Sequence, residues 1–600
     1  MSEITEKTGL LKGGEFLVKE ANFQEMFILE DANEEQLMIQ DMTREFVDKE
    51  ITPVDDKIEK QVEGVAPGLL EKMGELGLLG SHMPEQYGGM ALDNNTNTII
   101  ADAFGGAGSF TVSYAAHTGI GMLPILYFGT EKQKETYLPR LISGELKSAY
   151  CLTEPSSGSD ALSAKTRADL TPDGKHYLLN GQKMWISNAG FADIFIVFAQ
   201  IDGNKFTCFI VERGVDGLTF GAEEKKLGIK GSSTRQVFFE DVKIPTENIL
   251  GEIGKGHKIA FNALNIGRFK LSAMASGGSK KSITTAIKYA NERKQFGVQI
   301  ATFGAIKYKL AEQAIRVFAN ESALFRTSDL LTKKKKELEA SGLSFGDAKL
   351  KAAEEYAIEC ALLKVSGSEA LDYVVDETLQ IHGGMGYSEE GTSAKAYRDA
   401  RINRIFEGTN EINRLLSVDM LLKRALKGKI DIVGPAWAVQ KELASMPSFD
   451  KPEGDYANEL KAIKDFKKIA LMVAGGASKM QMDGELNLQE EQEILMNVSD
   501  MLIDIFQAES MLMRVMKLAG MDNKKIDQSI YDAMVKVFIY DTNSRMAKYA
   551  TDALVSFTEG DLLKTFLMGL KRFTKYPPVN VKNLRREIAN KLIDANEYCF

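Results

Sequence analysis

Glu407 lies in the run Phe406-Glu407-Gly408-Thr409, between an aromatic residue and a glycine. A glycine lets a ligand approach the backbone closely. Partial burial raises a carboxylate's pKa and strengthens it as a base. The chemistry on offer is proton removal by a carboxylate. Taken alone, Glu407 also reads as an acidic residue at a helix start.

Three other segments bear on the same question. Residues 149–160 set hydroxyls and backbone N–H groups around a turn with Pro155 and Gly158, suited to ring edges and phosphates. Trp185, followed by Ser187, can pack on a flat ring and donate to its edge. Arg293, Gln295 and Phe296 combine a guanidinium fork for pyrophosphate with an aromatic cover. Each has an ordinary alternative: a polar loop, a buried structural tryptophan, a surface salt bridge.

Two glycine-rich stretches are decoys. Gly251 to His257 has the spacing of a phosphate loop but ends Gly256-His257, without the lysine and hydroxyl that loop needs. His382-Gly383-Gly384-Met385-Gly386 follows a helical pattern, not a strand, so a dinucleotide fold fails on context. The four cysteines form no CxxC and the five histidines no HExxH, which argues against metal catalysis. A net charge of −10 leaves no footprint for nucleic acid. The basic run Lys333–Lys336 reads as a solvated helix face or loop.

The elements that must position these residues come in blocks. Residues 1–148 read as helical, with apolar spacing of three and four in Asn33–Asp48 and Thr96–Phe104, and cap candidates from Asp93 to Thr96. Residues 149–254 hold short β-branched and aromatic runs between turns such as Pro172-Asp173-Gly174 and Asp202-Gly203-Asn204, the mark of a small antiparallel sheet or barrel. Residues 255–427 return to helical periodicity in Gly256–Glu292, Phe303–Leu331, Gly346–Thr378 and Glu411–Ala425. Gly428–Pro435 reads as a hinge. Residues 436–600 form a further helical domain whose methionine-rich stripe reads as core, with a membrane- or partner-docking face as the alternative. The N-terminus lacks an apolar signal segment, and no stretch spans a membrane. Few cysteines fit a reducing compartment, so the expected location is cytoplasmic.

The four segments, in this order and spacing, resemble the acyl-CoA dehydrogenase family over residues 35–425. The closest likeness is to its very-long-chain branch, which also carries an extra C-terminal helical region. The resemblance implies a mainly α fold with a central β-domain: an N-terminal helical domain, a middle β-barrel, a C-terminal four-helix bundle and an additional helical domain. It implies FAD, with Tyr150, Leu152, Thr153, Trp185 and Ser187 along the flavin. Gly158 and Ser159 face the FAD and the CoA thioester arm. Arg293, Gln295 and Phe296 hold its pyrophosphate and adenosine, usually across a dimer interface, with Gln380, Gly383 and Gly384 in the shared site. Thr409 and Glu411 close over the cofactor.

Glu407 matches the family's catalytic base. Some relatives carry that base near Asn265-Ile266-Gly267-Arg268, where this sequence has no carboxylate. Asn265, Arg268, Ser159 and Gly408 would line the thioester end of the substrate site. The implied reaction is α,β-dehydrogenation of an acyl-CoA in fatty-acid β-oxidation, with electrons leaving to an electron-transfer flavoprotein and a homodimer as the assembly. An acyl-CoA oxidase and a non-catalytic scaffold on the same fold are the alternatives. Three departures stand out: Ser187 replaces a common Thr, Lys307 replaces a common Gln, and residues 332–345 form a lysine-rich insertion without an assigned role. Small residues in Ala103–Gly108 lean the acyl pocket towards medium-to-very-long chains. Tight helix packing at those glycines is the competing reading.

Overall fold

The computed structural model describes residues 10–446, 452–521 and 526–600. In the N-terminal part the helix starts follow their caps. Asn33 accepts from Gln36 N and Gln36 answers on Asn33 N, a capping box that opens the helix Glu34–Phe46. Asp93 accepts from Thr96 N at 2.9 Å and opens Asn94–Phe104.

The middle part is one eight-stranded sheet. Its strands are β1 (Ser148–Cys151), β2 (Arg167–Leu170), β3 (His176–Ser187), β4 (Ile194–Ile201), β5 (Lys205–Glu212), β6 (Leu218–Glu223), β7 (Thr234–Pro245) and β8 (Ile249–Leu250). The order is β6-β7-β3-β2-β4-β5-β8. Pairing is mainly antiparallel, with β1 and β2 lying parallel to successive stretches of β4. Period two sorts β4. Ile194, Ile196 and Phe198 face the helices, while Phe195, Val197 and Ala199 face Phe209, Val211 and Val237 in a second core within the sheet.

The bundle helices are Gly256–Glu292, Gly304–Ala340, Ala357–His382 and Asn410–Leu426. The helix expected over 346–378 is two, Phe345–Glu355 and Ala357–His382. The N-terminal tail makes the break. Tyr356 leaves the helical conformation and its phenol donates to Leu11 O, while Gly13 N and Gly14 N donate to the Glu355 and Glu359 carboxylates. The lysine-rich stretch continues the preceding helix to Ala340, with Lys333 and Lys335 paired to Asp329 and Glu339 four residues away. It is a helix face only partly open to solvent, with the Lys335 ammonium 3.9 Å over the Phe345 ring.

Gly428, at φ +65°, closes the Asn410–Leu426 helix. Ile430 and Ile432 then sink into the core, so the segment read as a hinge is pinned. Six further helices follow: Val433–Leu443, Ala457–Met482, Gln492–Ala519, Gln528–Phe557, Gly560–Phe573 and Val581–Ala595. Met501, Met511, Met534 and Met546 are fully buried among them, so that stripe is core. This core is continuous with the bundle's. Among the described residues no helix is long and apolar enough to cross a membrane, and no group of side chains is arranged to hold a metal ion.

Buried charge joins the last domain to the rest. Arg514 is 1% exposed and pairs with Glu321 and Glu30, each at 2.6 Å, and Glu321 also meets Lys280. Removing one member of a buried network strands the others. Arg514→Met is therefore expected to cost about 3–5 kcal/mol. Urea unfolding would read this, with part of the loss recovered in Arg514→Met/Glu321→Gln.

Candidate active site

The loop before the helix Asn410–Leu426 runs against the helices Gly256–Glu292 and Ala357–His382. Glu407 takes φ +58° and Gly408 φ +80°. A glutamate in this left-handed region persists only where its surroundings hold it. Arg268 Nε donates to Glu407 O at 3.1 Å and Lys364 Nζ to Gly408 O at 2.7 Å. Asn413 Nδ2 donates to the carbonyls of Glu407, Gly408 and Thr409 at 3.3, 2.8 and 3.0 Å. The Thr409 hydroxyl accepts from Ile412 N and caps the helix. Glu407 is thus no helix-start carboxylate; it belongs to the loop ahead of the cap.

Every fixed contact falls on the loop's backbone, and the carboxylate is left over. Glu407 Oε2 is buried with no hydrogen-bond partner. The opposite wall is Gly267, where a Cβ would lie 2.7–2.9 Å from the Glu407 carboxylate atoms. Burial pushes Glu407 up to about 7, and the charges of Arg268 and Lys364 pull it back only in part. Burial likewise pushes Lys364 down to about 7. Arg268 is itself anchored by its Nη1 donating to Asn265 Oδ1 at 3.1 Å. Tyr150 approaches from β1, its phenol donating to Ala260 O at 3.4 Å. Burial first, then Cys208 and Glu407, raise that phenol's pKa.

The structure also joins the two sheet segments. Met184 N donates to Thr153 O at 2.9 Å. Beneath them Lys183 Nζ binds Glu154 at 2.7 Å and Leu152 O at 3.3 Å, both charged groups fully or nearly buried. A register shift in β3 between Lys183 and Ile186 turns Trp185 outward, at φ +61° and 51% exposed. Trp185 is therefore not a buried structural residue. Ser187 sits two residues on, partly open. Gly158 and Ser159 lie exposed on the adjoining loop, and Glu411 on the first turn after the cap.

The remaining residues lie elsewhere. Lys294–Gln295 and Val298–Gln299 form a small hairpin with Phe296 93% exposed at φ +52°. Arg293 is exposed and forms no salt bridge among the described residues. Gln380, Gly383 and Gly384 are exposed at the same end of the bundle, tied to it by Tyr289 stacked on His382 at 4.2 Å. That end is about 36 Å along the Gly256–Glu292 helix from Arg268. Lys307 donates to Asn590 at 2.7 Å in the last helix.

Of the glycines in 103–108, Gly105 is a packing residue. A Cβ on Gly105 would meet Met274 O at 2.2 Å, and one on Gly277 would meet Asp102 O at 1.8 Å. Two helices meet there backbone to backbone, so Gly105 opens no pocket floor, while Gly106 and Gly108 face the side-chain ends of Lys281 and Lys395. Gly267, Lys364, Asn413 and the Glu154–Lys183 pair went unnoticed in the sequence. Glu154, Lys183 and Asn413 stood inside the segments read from the sequence and Gly267 beside Arg268, but none was given this role; Lys364 lay outside every motif.

Profiles of the acyl-CoA dehydrogenase N-terminal, middle and C-terminal domains match residues 33–145, 149–242 and 254–422, and a further acyl-CoA dehydrogenase C-terminal domain profile matches 465–572. A probable acyl-CoA dehydrogenase of Bacillus subtilis is 45% identical over 98% of both chains. The chain belongs to the acyl-CoA dehydrogenase family. A crystal structure of an acyl-CoA dehydrogenase complexed with FAD from Bacillus anthracis superposes at TM-score 0.95, with 44% identity over 98% of this chain and 100% of that one. The very long-chain specific acyl-CoA dehydrogenase of Rattus norvegicus is 43% identical over 60% of this chain and 53% of its own length. As an acyl-CoA dehydrogenase the chain is an FAD-dependent oxidoreductase, and its residues fit that cofactor. A half-exposed indole two residues before a partly open hydroxyl offers a flat ring a face and a donor.

Two outcomes follow from this geometry. A base must be deprotonated, so log kcat/KM should rise with pH and level off above about pH 7; Arg268→Met removes a charge that lowers Glu407 and should move that limb to higher pH. Gly267→Ala pushes the carboxylate aside, and a displacement near 1 Å should slow substrate reduction of the flavin by about a hundredfold. Stopped-flow absorbance would measure it, with the bound flavin spectrum reporting an intact fold.

Proposed function

We propose that this enzyme removes the α-proton of an acyl-CoA thioester with Glu407 and yields the trans-2-enoyl-CoA. The observation that carries the reading is the Glu407 carboxylate, its Oε2 buried without a partner, with burial pushing it up to about 7. A base poised near the working pH combines the required ionisation with proton-transfer strength. Glu407 N–H donates to no backbone carbonyl among the described residues, so it is free for the thioester oxygen, where negative charge develops. Arg268 and Asn265 hold the loop from the substrate side, and Gly408 leaves room beside it. FAD, when bound, supplies the acceptor for the β-hydrogen.

On this reading Tyr150, Leu152, Thr153, Trp185 and Ser187 hold the flavin, Gly158 and Ser159 line the thioester arm, and Thr409 and Glu411 close the site. The hairpin of Arg293, Gln295 and Phe296, with Gln380, Gly383 and Gly384, lies about 36 Å along the bundle from Arg268, which supports a role at another copy's cofactor. It serves the cofactor of a second copy, which makes the assembly a homodimer. The likeness to very-long-chain enzymes supports medium-to-very-long acyl chains, fatty-acid β-oxidation and an electron-transfer flavoprotein as acceptor. The scattered free cysteines support a cytoplasmic location.

Glu407→Gln should stay folded and yellow but lose flavin bleaching by palmitoyl-CoA by at least about a thousandfold. Bleaching at the wild-type rate would remove Glu407 from the mechanism. Oxygen uptake matching turnover would favour an oxidase, and purified protein without FAD a scaffold.

A further inference from the structure

One turn from the base lies a second concentration of charge that the proposed reaction does not use. A small cleft between the helices Asn94–Phe104, Gly256–Glu292 and Phe345–Glu355 is lined by Ala101, Ile266 and Phe269 on its apolar side. Its polar end holds His82, Lys270 and Lys349. It has room for about one or two waters or a compact ionic group.

No carboxylate lines this cleft. Lys349 is 6% exposed, and its ammonium donates to the His82 carbonyl at 2.8 Å. Lys270, deep in the protein with part of its surface open to the cleft, reaches only Thr118 O at 3.5 Å. His82 is 3% exposed and its Nε2 has no partner. The neighbouring His117 is engaged by Leu141 O and the Ser148 backbone. Proteins seldom bury a cation without a counter-charge, because the desolvation cost goes unrepaid. Burial accordingly pushes Lys270 down to about 7 and Lys349 well below its ordinary value, with Glu339 the one carboxylate that pulls Lys349 back.

The cleft also lies near the Glu407 wall, along the same helix. Lys270 follows Gly267 by three residues, one turn along the same helix face. Gly267 is the wall against which the Glu407 carboxylate rests. An acyl chain with its α-carbon at Glu407 that follows this face passes Ile266 and Phe269 before meeting the basic groups. We propose that the cleft is a carboxylate site, and that the enzyme's substrates include acyl thioesters whose far end carries a carboxylate. The inference rests on Glu407 as the base, since that fixes where the acyl chain begins.

The test compares octanoyl-CoA with suberyl-CoA, its eight-carbon diacid counterpart, on the FAD-loaded wild type and on Lys270→Met and Lys349→Met. The expected result is a loss of about tenfold or more in kcat/KM for suberyl-CoA in both variants, with octanoyl-CoA changed less than about twofold. A second arm reads the Tm of the same three proteins in sodium acetate. If the diacid gains nothing but acetate raises the wild-type Tm and not the variants', the site stands and takes a free carboxylate. If neither the diacid preference nor the acetate shift depends on either lysine, the proposal falls. Failure of octanoyl-CoA to react with any of the proteins would instead count against the base, leaving the acetate arm to decide the cleft.

Discussion

The structure depends on holding one loop by its backbone while leaving its side chain free. Arg268, Lys364 and Asn413 take up the carbonyls of residues 407–409. Those donors come from three of the four bundle helices, so none of the three can shift without moving the loop. They also bring two positive charges close to a buried carboxylate without bonding to it. Were either to form a direct pair with Glu407, the acid would be held well down and would cease to be a useful base at neutral pH. Tethering the carbonyls gives rigidity without that loss.

The C-terminal domain takes part in the same arrangement. Arg414, one turn past the Thr409 cap, binds Glu369 at 2.8 Å and Asp500 at 2.7 Å. Ser417 meets Ser499 nearby. Glu369 in turn accepts from Asn410. The extra helices therefore brace the far side of the Glu407 loop, and the buried Arg514 network fastens them to the bundle. Their contacts to the Asn410–Leu426 helix run through Arg414 and Ser417, behind the Glu407 loop.

Much of this was legible in the sequence, for identifiable reasons. Long amphipathic helices, the Asn33 and Asp93 caps and the alternating strands are local signals, and they appear where the residues put them. Glu407 could be singled out only because four weak segments occurred together. The break at Tyr356 was hidden because it is made by a tail some 345 residues away in sequence. Gly105 misled because glycine serves two opposite ends: it leaves space, or it allows two backbones to close that space. Only the neighbours across the gap decide which. Lys364 and Asn413 looked like any polar helix residue, since their meaning lies in a loop they meet in three dimensions.

Gly267 carries one more implication. A side chain planted there would begin where the Glu407 carboxylate ends. The cavity thus has two walls from which a single acid could be delivered, and space for one only. A chain that arms the helix must disarm the loop, and the reverse. The location of the base within this scaffold is therefore exchangeable, whereas the spot in space that it fills is not.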